Sequence, residues 1–380
     1  MDLKAEIYAE ANNLGFLLIG AASPQTPPHY SKYEAWVDHG FHGEMAYLAN
    51  DRSRQRRFDP RQILPEAASL LSLALPYEAP LRERALPNAG GTGQIAAYAW
   101  GQDYHEVIPP RLAQLVERVE VRIGRPIRWR GYTDTGPILE RDWALLAGSG
   151  WIGKNTCLIH PRHGSFFFLA EILWDVDLEP ESPLKTDYCG TCQRCIDACP
   201  TGCILPDRTL DAVRCISYQT IENKGAIPEE IRPHMGNWVF GCDICQQVCP
   251  WNGRFAELHG DPGLASASNE HPAPILVDEL SLTPQQFNRK FRHSPVLRTR
   301  RRGYLRNIAI ALGNQRDPAA LPGLARAITN EPEPLVRAHL AWAIGQIRGS
   351  AARHALEQAR AVEQDETVLW EIRSALAGLG

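Results

Sequence analysis

Apolar residues recur at helical spacing from the start of the chain: Leu3, Ile7, Ala11 and Leu14 share one face. Leu70-Leu71-Ser72-Leu73-Ala74-Leu75 is a strand run closed by Pro76. Pro109-Pro110 predict a helix start, with Leu112, Leu115, Val116, Val119 and Ile123 as its core face. Ile127 to Arg130 returns as a strand, and Ser165–Trp174 is the most apolar window and reads as a buried strand. Residues 1–180 are therefore expected to form an α/β or α+β domain with its own core. Near the other end the pattern is helical and repeats. Ala309-Ile310-Ala311-Leu312-Gly313-Asn314 matches Ala341-Trp342-Ala343-Ile344-Gly345-Gln346, and a weaker copy ends in Ser374-Ala375-Leu376-Ala377-Gly378. Paired helices with small residues where they pack suggest a short HEAT-type solenoid.

Composition changes little in this picture. The chain has 380 residues, 44% of them apolar, with a net charge of −4, as in an ordinary globular protein of two or three domains. No apolar stretch approaches membrane-spanning length, and the amphipathic start lacks a signal-peptide core. The cysteines change it a great deal. Nine of the ten fall between Cys189 and Cys249. They spell Cys189-x2-Cys192-x2-Cys195-x3-Cys199-Pro200 and a shorter Cys242-x2-Cys245-x3-Cys249-Pro250. Paired C-x2-C also occurs in zinc sites. The third cysteine and the Cys-Pro ending, present twice, favour two [4Fe–4S] clusters in a ferredoxin-like module over residues 181–260.

In that arrangement the cysteine before proline ligates the other cluster. Cys189, Cys192, Cys195 and Cys249 are then expected on one cluster, and Cys199, Cys242 and Cys245 on the second. The missing fourth ligand would stand at Val239; Cys203 and Cys215 are the candidates, and Cys215 is preferred because its segment approaches independently. Exposed clusters and unpaired thiols suit a reducing cytoplasm.

Residues 261–380 open with a basic segment ahead of the repeats. Between Arg289 and Arg306 stand eight Arg/Lys, including Arg298, Arg300, Arg301 and Arg302, and no acid. Such density suggests phosphate contacts, with Phe291 and Tyr304 available for stacking; the competing view is an ordinary solvated face. Other motifs fail. Gly148 to Asn155 nearly spells a P-loop but ends in Asn155, which supplies no metal-binding hydroxyl. Asp134-Thr135-Gly136 has no second copy to make a protease pair. Asp103-Tyr104-His105 begins a cobalamin D-x-H-x-x-G motif that Ile108 interrupts. Asp134, between a strand and the Pro137 turn, is read by spacing alone as a helix cap sooner than as a general acid.

The segments YTDTGPILERDWALLAGSGWIGKNTCLI, CGTCQRCIDACPTGCI and RCISYQTIENKGAIPEEIRPHMGNWVFGCDICQQVCPWN resemble epoxyqueuosine reductase. The resemblance implies three parts: a cobalamin-binding domain, a two-cluster module and HEAT-like repeats. It further implies base-off cobalamin, reduced through the clusters, that reduces epoxyqueuosine to queuosine at the tRNA wobble position. Asp134 matches the family's proton donor, with a pKa raised by an apolar pocket. Arg57, Arg141, Lys154, Asn155, Ser217 and Gln219 become cobalamin contacts, and Lys224 joins Arg298, Arg300, Arg301 and Arg302 on tRNA. A monomer fed by an external low-potential electron donor, with no membrane, is the expected setting. A reductive dehalogenase and an iron–sulfur electron carrier are the alternatives.

Overall fold

A computed structural model describes residues 2–79, 91–256, 260–265 and 273–379. These form two compact units, each non-contiguous in sequence.

The first unit is built from Met1–Arg82, Gly101–Ala212 and Ile244–Ala267. The boundary expected at residue 180 thus falls inside it. Its centre is an antiparallel sheet of β1 (Leu18–Ala22), β2 (Ser69–Pro76), β3 (Trp129–Tyr132) and β4 (Phe167–Trp174), in the order β1-β2-β4-β3. The two apolar runs pair along their whole length, from Ser69 opposite Trp174 to Pro76 opposite Phe167. The first is buried throughout and the second everywhere but at the half-buried Leu169, because helices cover both faces. Helices α1 (Leu3–Asn13), α2 (Asp51–Phe58), α3 (Tyr104–Ile123) and α4 (Glu140–Leu146) surround the sheet. Side chains alternate along β4. Phe168 stacks on Tyr104 of α3, with ring centroids 4.1 Å apart, while Leu169 and Leu173 face α4 among Ala144 and Trp143.

Helix α3 begins five residues before the proline pair that was expected to open it. Asp103 caps it by accepting the His105 N–H at 3.0 Å, and Tyr104 and Ile108 anchor the first turns in the core. Burial on that face outweighs the two backbone donors the prolines remove.

The second unit comprises Glu83–Trp100, Val213–Asp243 and Ser268–Gly380. Here α5 (Ile216–Ile221) and the parallel strands Gln94–Ile95 and Trp238–Phe240 precede α6 (Arg300–Gln315), α7 (Leu321–Asn330), α8 (Pro334–Ile347), α9 (Gly349–Val362) and α10 (Glu366–Ala377). The repeated Ala/Gly register sits where helices meet. A Cβ built on Gly313 would fall 2.5 Å from the Trp342 ring, and one on Gly345 2.8 Å from Ala375. Glycine is what allows α6, α8 and α10 to pack this closely. Among the described residues no helix is long and apolar enough to cross a membrane.

Candidate active site and iron–sulfur region

Strand β3 ends at Tyr132, and the loop that follows carries Asp134. Thr133 ties its start to the sheet, its hydroxyl donating to the Leu169 carbonyl at 2.8 Å. Asp134 adopts a left-handed backbone, φ 57°, which Asp tolerates better than most residues. It does not cap α4, whose N-terminal residue Leu139 makes no side-chain cap. The link runs the other way: the Asp134 N–H donates to Glu140 Oε1 at 2.5 Å. The Tyr104 hydroxyl donates to Asp134 Oδ2 at 2.8 Å. His105 Nε2 lies 3.9 Å from the same oxygen, and its Nδ1 meets Asp103 at 2.8 Å. The Asp134 side chain is 63% exposed. The apolar pocket expected around it is therefore absent from the protein itself, and any desolvation must come from what binds over it.

Two further acids stand behind this loop. Burial, reinforced by the Asp134 charge, pushes Glu140 up to about 8. Glu171, fully buried on β4, is raised well above the ordinary carboxyl range by desolvation and then by Glu140. The Ser72 hydroxyl on β2 is the polar group that faces it and partly offsets that rise.

The expected cobalamin contacts divide. Arg57 is buried, lies over the Tyr33 ring and points to the Gly136 carbonyl of the Asp134 loop at 3.5 Å, long for a hydrogen bond. Arg141 is exposed, its guanidinium donating to the Thr156 carbonyl at 2.5 Å. Lys154 instead serves the cysteine loop: its ammonium donates to the Gly190 and Cys192 carbonyls at 2.8 and 2.9 Å. Asn155 is buried within its own turn, its oxygen accepting the Cys157 N–H at 3.3 Å. In the second unit Ser217 is half-buried on α5. Gln219 is 1% exposed, its amide donating to the Val213 carbonyl at 2.5 Å and accepting from Asn223 at 2.6 Å.

No two of the ten cysteines are joined in a disulfide. Cys189 and Cys249 share an apolar nest with Trp151, Ile159, Leu184 and Trp251. Burial and then the charge of Cys189 push Cys195 up to about 11, with Cys249 adding to it. Cys249 is raised by burial and, further, by Cys189. Thiolates that repel one another in an apolar nest fit a cationic iron–sulfur core, which would hold them deprotonated. Cys203 Sγ lies 3.4 Å from Cys199 Sγ, and that hydrogen bond first, then Thr201, draws Cys199 down to about 4. Terminal ligands of a cube diverge from its corners, which two sulfurs in contact do not; Cys215, the other candidate, stands at the N-terminus of α5, and Cys242 follows the Trp238–Phe240 strand.

The basic segment is partly dismantled. Arg306 is fully buried, donating to the carbonyls of Gln219, Asn223 and Gly225 at 2.6–2.9 Å. Arg301 makes a two-pronged ion pair with Glu331 at 2.6 and 2.9 Å, and its side chain is 14% exposed. Arg298 pairs with Glu222 at 2.6 Å. The Lys224 ammonium donates to the Ile221 and Arg298 carbonyls at 2.6 and 3.3 Å, and burial lowers its pKa. Phe291 and Tyr304 are buried against each other, centroids 5.0 Å apart, and offer no stacking face. Arg289, Arg292, Arg300 and Arg302 remain exposed.

Tyr104 and His105 stand inside the broken D-x-H-x-x-G motif, and Glu140 carries no sequence signal beyond its place at a helix start. Glu171 had no signal beyond a charge inside an apolar strand, which in a fully buried run is itself a mark.

Comparison with known proteins agrees with this geometry. Residues 188–252 match the family described as a 4Fe–4S double cluster binding domain, residues 57–135 the one described as Epoxyqueuosine reductase QueG, and residues 296–377 HEAT repeats. The chain is 39% identical to an epoxyqueuosine reductase from Pseudomonas aeruginosa, over 87% of this chain and 91% of that protein. It is 38% identical to the Escherichia coli one, over 88% of this chain and 86% of that protein. A crystal structure of epoxyqueuosine reductase with a tRNA-Tyr epoxyqueuosine-modified stem loop shares 32% identity and a TM-score of 0.89, covering 99% and 98% of the two chains. One from Bacillus subtilis "with the Asp134 catalytic loop swung out of the active site" gives 0.88 at 32% identity, covering 100% and 99%. By identity over most of its length, this chain belongs to the epoxyqueuosine reductase family of oxidoreductases.

Proposed function

We propose that the chain reduces epoxyqueuosine at the wobble position of tRNA and that Asp134 is the proton donor of that reaction. Removing the epoxide oxygen as water and leaving an alkene consumes two electrons and two protons, so a positioned acid is needed at the oxygen. The observation that carries the assignment is an open carboxyl at the end of β3, with Tyr104 and His105 converging on it and Glu140 holding its backbone N–H. An exposed carboxyl at a strand end also leaves room for a large planar group laid over it, which fits cobalamin.

When bound, cobalamin and the two clusters supply the electrons. The protein's residues do the rest. The Tyr104 hydroxyl and His105 fix the Asp134 carboxyl in direction, and Asp103 holds His105 Nδ1 so that Nε2 faces Asp134. Cofactor and substrate covering Asp134 would strip its water and favour the protonated form. Arg57, beneath the loop, and Arg141, beside it, are the two remaining candidates near Asp134 for cofactor contact, while Lys154 secures the cluster loop. Exposed Arg300 and Arg302 would meet the tRNA backbone, and the modified base would leave its stack to reach Asp134.

The test is Asp134→Asn in the reconstituted enzyme. Cluster and corrinoid absorption should match the parent, whereas nucleoside mass analysis should show epoxyqueuosine unreduced. Parental turnover by this variant would end the proton-donor assignment.

A further inference from the structure

The loop that presents Asp134 is held at one backbone point by a side chain that has no other assigned task. Asp134 sits in a left-handed conformation that L side chains rarely adopt, so something must offset the strain. Glu140 opens α4, where an acid commonly serves its own helix N-terminus. Here it reaches back six residues, and Oε1 accepts the Asp134 N–H at 2.5 Å. Tyr104 and His105 touch the Asp134 carboxyl, not its backbone. From behind, Glu171 closes the arrangement. It lies on the α4-facing side of β4, cross-strand from Tyr132 and fully buried.

We propose that Glu140 is a positioning residue for the reduction: it latches the Asp134 backbone and so sets where the Asp134 carboxyl is presented. This rests on Asp134 being the proton donor. The groups facing Glu140 make the protonated acid its working form. Burial, Asp134 on the loop and Glu171 on β4 oppose its charge, and the Asp134 N–H, Arg141 on α4 and Arg57 on α2, which favour it, do not outweigh them. A protonated carboxyl still offers its carbonyl oxygen to the N–H, so a glutamine at this position can do the same work.

The experiment measures hydrogen exchange of the segment containing Asp134, together with kcat and KM for an epoxyqueuosine-bearing tRNA stem loop, in the reconstituted holoenzyme. Losing a hydrogen bond of this kind is worth about tenfold or more. Glu140→Ala should therefore exchange about tenfold faster at this segment and lose about tenfold in kcat at unchanged KM. Glu140→Gln should restore both at neutral pH. A helix-start acid of merely structural value would give neither the loss confined to kcat nor the rescue. Unchanged exchange in Glu140→Ala, faster exchange without a fall in kcat, or a Gln variant as impaired as Ala would each overturn the latch. Asp134→Asn, run alongside, separates the two ideas: it tests the proton donor by turnover, while its exchange reports the latch independently.

Discussion

Arg306 stands in the densest basic run of the chain, yet its guanidinium is sealed inside the second unit. It donates to three backbone carbonyls and, at 3.0 and 3.1 Å, to Asn307 Oδ1. Arg306→Met keeps much of the side-chain volume and deletes every donor. Each buried acceptor left without a partner costs about 1–3 kcal/mol, so even the low end for four of them gives about 4 kcal/mol. That lies in the far tail of point-mutation effects. For a unit of this size, about 2–4 °C per kcal/mol makes the fall in melting temperature about 10 °C. The tRNA side should respond in the opposite way. Each lost phosphate contact lowers the slope of log affinity against log salt by about 0.7–0.9, and the exposed Arg300 and Arg302 are the residues placed to make such contacts. Arg300→Ala with Arg302→Ala should flatten the slope while melting as the parent does. Arg306→Met should leave the slope alone in whatever fraction stays folded. Thermal melting of the anaerobic holoprotein and stem-loop binding across salt concentrations give both numbers. An Arg306→Met protein that melts within about 2 °C of the parent, or that binds with a reduced slope, would refute the reasoning.

Two more outcomes are open to measurement. Cys215→Ala should lower the iron content and remove one cluster's signal in electron paramagnetic resonance, whereas Cys203→Ala should keep full iron and shift the midpoint potential of the cluster that Cys199 serves; equal iron loss in both would put Cys203 back among the ligands. Glu171 and Glu140 are protonated in the fold and ionised when unfolded, so their contribution to stability is present below their ordinary value of 4.5 and is lost as pH rises, for Glu140 through about 8. Each costs up to about 1.4 kcal/mol per pH unit in that window, and Glu171→Gln should flatten the decline; an unchanged slope from pH 5 to 8 would mean the carboxyl is not held neutral.

The cysteine spacing was readable without any fold because ligand geometry for a cube is written in a local loop, and family resemblance named the reaction from contiguous segments. The strand runs and the Ala/Gly helix register were legible for the same reason: period and residue size act over a few neighbours. What the chain could not show in one dimension was which charges are free. Arg301 and Arg306 look like Arg302 in the sequence, and only long-range partners, Glu331 and the Gln219 to Gly225 carbonyls, take them out of solution. Lys154, Asn155 and Gln219 were assigned to a cofactor by resemblance, but packing gave their polar ends to nearby protein atoms. Asp134 shows the division most plainly. Its identity is set by motif, while its left-handed backbone, its open carboxyl, the half-buried Glu140 and the buried Glu171 come together only because β3, β4 and α4 meet there. Local pattern fixes chemistry type; desolvation and pairing, which depend on distant residues, fix which groups can use it.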